Sequence, residues 1–333
     1  MKFLKRNACI LALGFCVMAC ASTASAKEVK VAIQFGLAYL PVMMMKEDGL
    51  LEAEAKKRGI DDVQLSVVKI SGSTAVNEAI LSNNVEMGVM GTPSLLIMWE
   101  KTKPRLAVRG LASMSSFPMV LNTTKTSASS LKDFGPKDRI ALPATTGPQA
   151  MVLRMAAEKE FGTGQYQRMD TNMVALPHPE AMGAMLSKTE VTGHFTNIPF
   201  SAMEARNGSI KRVLSSHEIL GTKATFVQLV ATSKFVKDDP KLAEATVAAV
   251  EEAMRRIAAD PARAADVYLK NEPSKLPPEF YVDLIKDPEN AFSAVPTGII
   301  RYAEFMHRTG QLKSMPSSWK DVYFEFMHSK AGS

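Results

Sequence analysis

From Lys27 onward, short apolar strand patterns alternate with helical patterns, and Gly, Ser, Thr or Pro stands at each join. Val29-Lys30-Val31-Ala32-Ile33 reads as a strand, Gln34-Phe35-Gly36 as a turn, and Leu40 to Leu51 as a helix closing near Gly49. Val63 to Ile70 predicts a second strand and Ser71 to Thr74 a turn. The helix Ala75 to Ser82 and the strand Val85 to Met90 follow, then Gly91-Thr92-Pro93 opens a helix over Ser94 to Glu100. This order demands parallel strands joined by helical crossovers, which is a layered α/β sheet. The pattern then restarts. Arg139 to Pro143 reads as a strand, Thr145 to Gln149 as its turn and Ala150 to Phe161 as a helix; the strands Met173 to Leu176 and Val191 to Phe195 flank the helix Pro179 to Ser187.

Two such units imply two lobes, for which the 333 residues are ample. Leu106 to Asn122 and Lys211 to Ser233 are apolar and β-prone, and we read them as paired crossings between the lobes. After Asp239 the chain turns helical, with Asp-Pro pairs at 239–240 and 260–261 supplying a cap and a first-turn proline. The expected organisation is a lobe 1 of 27–115 and 223–333, including a helical tail, interrupted by a lobe 2 of 116–222.

The first twenty-six residues read as an export signal. Lys2, Lys5 and Arg6 precede an apolar stretch from Ala8 to Ala19, and Ala24-Ser25-Ala26 offers a cleavage site. A protein working in the periplasm from Lys27 is the expectation, with a lipoprotein anchored at Cys20 as the alternative. All three cysteines lie in this segment, so the mature chain has no disulfide and no thiolate site. The formal charge of +6 falls to +3 without the signal and carries no polybasic run, which argues against nucleic acid. The 21 methionines fall largely in apolar runs, where they fill core space.

Ligands of open α/β sheets gather beyond the carboxyl ends of the strands, where turns and helix N-termini meet. Here those ends carry Gln34 to Gly36, Ser71 to Thr74, Gly91 to Pro93 and Thr145 to Gln149. Hydroxyls, glycines and free amides at helix starts can hold an anion without an arginine; each such turn can equally be plain capping. Among His178, His194, His217, His307 and His328 no pair has a metal-binding helix spacing, though His178 and His194 could reach a cleft as neutral hydrogen-bond partners. Phe35, Tyr39, Phe117, Phe195 and Phe226 are candidates to stack on a ligand. The catalytic motifs Gly-x-Ser-x-Gly, His-Glu-x-x-His, the P-loop and Gly-x-Gly-x-x-Gly do not occur. No cofactor and no enzymatic activity is therefore expected.

Taken in order, LAYLPVMMMKEDGLLEAEAKKRG, GSTAVNEAILSNNVEMGVMGTPSLL, SLKDFGPKDRIALPATTGPQAMVLRMAAEKEFG, LPHPEAMGAMLSKTEVTGHFTNIPF and TSKFVKDDPKLAEATVAAVEEAMRRI resemble segments of one family. It is that of the periplasmic substrate-binding proteins of the nitrate/sulfonate/taurine and thiamine-pyrimidine-precursor ABC importers. Glu86-Met87-Gly88 and Phe134 to Asp138 depart from its usual pattern, and no arginine stands in the matched turns, leaving Arg109 and Arg154 as possible substitutes. The resemblance implies a type II two-lobed binding protein, monomeric, that closes on a small ligand and presents it to a membrane permease with its ATPase. It implies ligand contacts at Gln34, Gly36, Tyr39, Ser73, Thr74, Thr92, Thr146, Gly147 and Asn197. The ligand would be a small organic anion such as a sulfonate, carboxylate or nitrate, or alternatively a neutral pyrimidine-like heteroaromatic. An exported enzyme or metal scavenger using His178, Glu180, His194, His217 or Glu218 is the competing reading, and a sensor module that hands its closed form to a receptor is a third.

Overall fold

The computed structural model describes residues 26–333, so the export-signal reading and the Cys20 alternative lie outside the described residues. Two five-stranded sheets organise the chain. The first has the order β2-β1-β3-β10-β4, built from β1 (Lys27–Ile33), β2 (Val63–Lys69), β3 (Met87–Gly91), β4 (Arg109–Ser115) and β10 (Val227–Ala231). The second has the order β7-β6-β8-β5-β9, built from β5 (Val120–Thr123), β6 (Arg139–Leu142), β7 (Met173–Ala175), β8 (Val191–Thr196) and β9 (Lys211–Ser215). In each sheet four strands run one way and one is reversed, β10 in the first and β5 in the second. The reversed strands are those that carry the chain between sheets, so the mostly parallel sheets expected from the crossover pattern are each completed by one antiparallel insertion.

Two short backbone connections join the sheets. β4 hands over to β5 through Ser116 to Met119, and β9 returns to β10 through a short helix and Gly221 to Phe226. The crossings are tied to each other: Phe226 N donates to Ser115 O at 2.8 Å, and Ser216 N donates to Met119 O at 2.8 Å. The continuous β-prone crossing expected over Lys211 to Ser233 is broken by this helix, which a Ser215/Glu218 capping box starts.

Thirteen α-helices cover the sheets among the described residues. Lobe 1 carries α1 (Leu40–Glu47), α2 (Leu50–Lys56), α3 (Ser73–Leu81) and α4 (Thr92–Thr102); lobe 2 carries α5 (Pro148–Phe161), α6 (His178–Leu186), α7 (Phe200–Ala205) and α8 (Ser216–Leu220). Gly49, in the left-handed region at φ 60, divides the predicted Leu40–Leu51 helix into α1 and α2. The tail comprises α9 (Ser233–Asp238), α10 (Pro240–Ala259), α11 (Pro261–Asn271), α12 (Pro278–Lys286) and α13 (Ile299–Arg308). The two Asp-Pro signals do what their chemistry requires: Asp239 accepts from Leu242 N at 3.1 Å and Asp260 from Arg263 N at 3.0 Å. The α10 stripe Leu242, Ala245, Ala249, Ala253 and Ile257 is buried against α1 and α2. Asp48, at the end of α1, receives the guanidinium groups of Arg256 and Arg263, which locks the tail onto lobe 1.

Candidate functional site

The carboxyl ends of β1, β3 and β6 meet across the line between the lobes. A small cavity there is lined by Gln34, Tyr39, Ser73 and Gly91 from lobe 1 and by Gly147, Gln149 and His178 from lobe 2. Five helix starts converge on it. Tyr39, Gly91 and Gly147 are the residues that precede the first turns of α1, α4 and α5, while Ser73 and His178 are the first residues of α3 and α6. Among the described residues no lysine or arginine lines it. Each helix start brings amides and roughly half a positive charge, so the concave surface favours a hydrogen-bond acceptor although its side chains are formally neutral.

The lobes are closed on this cavity, which encloses about 10 Å³, room for about one water. A Cβ on Gly91 would stand 2.5 Å from Pro148 Cγ across the gap, and one on Gly36 would stand 2.8 Å from Asn197 Oδ1. The Thr74 and Thr146 hydroxyls face each other at 3.4 Å on the exposed rim. Beyond Phe35, which lines both spaces, a second interlobe compartment of about 310 Å³ opens among Met182, Pro199, Phe200, Met203, Tyr268 and Tyr281, with Lys69 and Glu272 at its polar side.

Of the expected ligand residues, Gln34, Tyr39, Ser73 and Gly147 line the first cavity and the others do not. Gln34 is held in place, its Oε1 accepting from Gly72 N at 3.1 Å. The Gly36 amide is already engaged by the Glu272 carboxylate at 3.1 and 3.2 Å, which Tyr268 Oη also bonds at 2.9 Å. Thr92 is fully buried, and its hydroxyl donates to Thr225 O at 2.9 Å with Gln228 Oε1 at 3.1 Å; it turns into lobe 1 rather than toward the cavity. Thr74 and Thr146 sit at the rim. Asn197 stands behind the lining, its Nδ2 3.2 Å from His178 Nε2 and its Oδ1 buried without a partner. The proposed arginine substitutes lie elsewhere: Arg154 forks onto Asp170 at 2.9 and 3.1 Å, and Arg109 lines a separate surface pocket with Lys103 and Phe324. Phe35, Tyr39 and Phe226 reach the cavity, while Phe117 packs on Phe292 and Phe195 is buried within lobe 2.

Electrostatics set His178 and His194 apart from their ordinary chemistry. Burial, reinforced by His194, holds His178 well below its usual range, and burial holds His194 down to about 3. Burial pushes the neighbouring Glu204 carboxyl up to about 8, against an opposing hydrogen bond from Asn122. Both imidazoles are thus neutral near pH 7. Glu204 escaped the sequence reading because it sits in a short helix between apolar residues, a position that normally faces solvent; Glu272 escaped it because it follows a helical tail with no cleft signature. Among the described residues no group of three or more His, Cys, Asp or Glu side chains is arranged to hold a metal ion, which leaves the competing metal-site set of His178, Glu180, His194, His217 and Glu218 unassembled.

This architecture defines a type II periplasmic binding protein fold. The chain belongs to the NMT1-like family, whose model matches residues 22–269. No curated protein sequence matches it. Among solved structures it is similar to the alkanesulfonate-binding protein SsuA from Xanthomonas axonopodis pv. citri bound to MOPS, at 13% identity over 93% of this chain and 100% of that one, TM-score 0.68. It is also similar to the aliphatic sulphonate binding protein SsuA from Escherichia coli, at 12% identity over 90% of this chain and 93% of that one, TM-score 0.66. The nitrate-binding protein NrtA from Synechocystis PCC 6803 matches at 16% identity over 92% of this chain and 86% of that one, TM-score 0.68.

Proposed function

We propose that this protein is the extracytoplasmic capture component of an ABC importer and that it closes its two lobes on a small organic anion. The convergence of five helix N-termini from both lobes on one cavity without a cationic side chain is the observation that carries this reading. Lobe 1 would comprise 27–115 and 223–333 and lobe 2 116–222, with Ser116 to Met119 and Gly221 to Phe226 as the hinge. A ligand larger than one water enters only when the lobes part, so capture is a clamp motion about those crossings. The head of a sulfonate or carboxylate would sit at the helix starts and an apolar tail in the compartment of Met182, Phe200 and Tyr281. That aromatic compartment supports a second reading, a neutral heteroaromatic ring. The exported protein, cleaved after Ala26 or anchored at Cys20, would act as a monomer and deliver its ligand to a membrane permease driven by its ATPase.

A thermal-shift screen of residues 27–333 tests this. Sulfonates, nitrate, carboxylates, aromatic acids and pyrimidines are compared, and a ligand at a hundred times its Kd is expected to add about 2.7 kcal/mol of stability. Binding confined to pyrimidines selects the second reading. Silence across the panel, with mass spectrometry showing no co-purified ligand, sinks both.

A further inference from the structure

A row of buried polar side chains runs from the interior of lobe 2 to the cleft. Asn122 Nδ2 on β5 donates to Glu204 Oε2 on α7 at 2.9 Å. Glu204 Oε1 lies 2.5 Å from His194 Nδ1 on β8, and His194 Nε2 lies 2.8 Å from His178 Nδ1 on α6. Glu204 and His194 are fully buried; His178 is 4% exposed and lines the cavity. Its outer nitrogen, Nε2, faces the amides of Asn197 at 3.2 Å and Gln149 at 3.5 Å.

Each neutral imidazole has one N–H and one bare nitrogen, so the row permits two complete arrangements. With Glu204 protonated, its O–H donates to His194 Nδ1, His194 Nε2–H donates to His178 Nδ1, and His178 Nε2–H points outward as a donor. With Glu204 ionised, every bond reverses: His194 donates to the carboxylate, His178 Nδ1–H donates to His194, and His178 Nε2 points outward as an acceptor. Asn122 donates to Glu204 in both. No internal bond is lost between them; they differ by one proton and by what the cleft end offers. Asn197 can follow either form, because its Oδ1 has no partner to lose when the amide turns over.

We propose that His178 Nε2 is the specificity-determining hydrogen bond of this cleft and that Glu204, a positioning residue acting through His194, decides whether it donates or accepts. Capture of an acceptor anion is then coupled to retention of one proton in the row. This rests on the anion-capture reading above. Burial disfavours the ionised form, so the row releases its proton near pH 8 rather than in the ordinary carboxyl range. Neighbouring elements bring no competing charge to it. Glu180 of α6, Arg206 beyond α7 and Lys211 and Arg212 of β9 are exposed, and the Arg139 guanidinium of β6 bonds the carbonyls of Pro136 and Asp138.

Nitrogen-15 NMR of histidine-labelled protein between pH 6 and 9.5 tests the row without any ligand. His178 and His194 are expected to stay neutral and to exchange Nε2–H for Nδ1–H together, with a midpoint near pH 8. In Glu204→Gln the amide donates to His194 and accepts from Asn122 as the protonated acid does, so both rings should remain Nε2–H throughout. One fixed tautomer across the range in the natural protein, or a switch that survives in E204Q, overturns the proposal. Calorimetry with ethanesulfonate and benzoate then tests the coupling. Affinity of the natural protein should fall about tenfold per pH unit above pH 8, while that of E204Q should stay level from pH 6.5 to 9.5. A level profile in the natural protein overturns the coupling, and that measurement stands alone if E204Q does not fold. Failure of both anions to bind at any pH, with the tautomer switch intact, overturns the anion-capture reading and the coupling built on it, and leaves the switch as the part that survives.

Discussion

On the lobe 1 side of the cleft, polar groups at the strand ends are committed to their own lobe: Gln34 holds the Gly72 amide, Thr92 bonds Thr225 and Gln228, and Gly36 is capped by Glu272. On the lobe 2 side, His178, Gln149 and Asn197 lead inward to a row that ends on a buried carboxyl. The first wall presents a fixed set of helix starts, while the second presents a nitrogen whose proton depends on a residue two side chains behind it. A buried polar network holds a unique structure only while every member is satisfied, and the row of Glu204, His194 and His178 is satisfied in two ways.

Removing the middle of the row should have the largest effect. His194→Leu leaves Glu204 Oε1 without a partner and takes one of the two partners of His178 Nδ1, which keeps Thr196 Oγ1 at 3.2 Å, and we expect a loss of about 3 kcal/mol in urea denaturation. Gln34→Leu, which orphans one amide on the lobe 1 side, should cost about half as much. Equal losses would erase the contrast between the walls.

The pH dependence of stability should follow next. Glu204 is raised from 4.5 to about 8, so between those values the native state keeps a proton that the unfolded chain gives up, and stability falls as pH rises. The histidines act oppositely: His194 is lowered from 6.5 to about 3, and His178 also falls, so the unfolded chain gains protons as pH drops below 6.5 and stability falls toward acid. The two histidines outweigh the single carboxyl below pH 6.5, and the row contributes most near that value. E204Q should remove the decline that Glu204 imposes between pH 4.5 and 8, about 2 kcal/mol of it between pH 6.5 and 8, and so steepen the fall toward acid. Parallel denaturation curves for E204Q and the natural protein across that window would refute it.

Gly91→Ala probes closure. The Gly91 backbone, at φ −72, accepts alanine, but the new Cβ meets Pro148 of the other lobe at 2.5 Å. The strain, about 1 kcal/mol or more, exists only in the closed form. X-ray scattering should show a more open particle and binding should weaken roughly tenfold with melting little changed; an unaltered profile argues against a clamp. The smallest effect should come from Thr74→Val. Its contact with Thr146 is long and exposed, and the change in stability should stay within about 0.5 kcal/mol.

Much of the fold was legible because periodicity is local. The alternation of Val29 to Ile33, the Asp-Pro starts of α10 and α11, and the restart of the pattern near Arg139 each reflect chemistry within a few residues. The candidate site was legible only as a set of turns, of which Gln34, Tyr39, Ser73 and Gly147 line one cavity. Side-chain direction was not legible. Thr92 looks like Ser73 in sequence, since both open helices after strands, yet Thr92 faces Gln228 of β10 and Thr225 just before it, more than a hundred residues later in the chain.

By itself the sequence determined two α/β units, a helical tail and the strand ends where helix starts would gather, because capping and strand alternation depend on neighbours along the chain. Tertiary structure alone decided which of those ends meet, that Glu272 caps Gly36, and that Glu204, His194 and His178 stand in hydrogen-bonding order. Those contacts join residues distant along the chain, and their protonation is fixed by burial, which exists only once the lobes are packed.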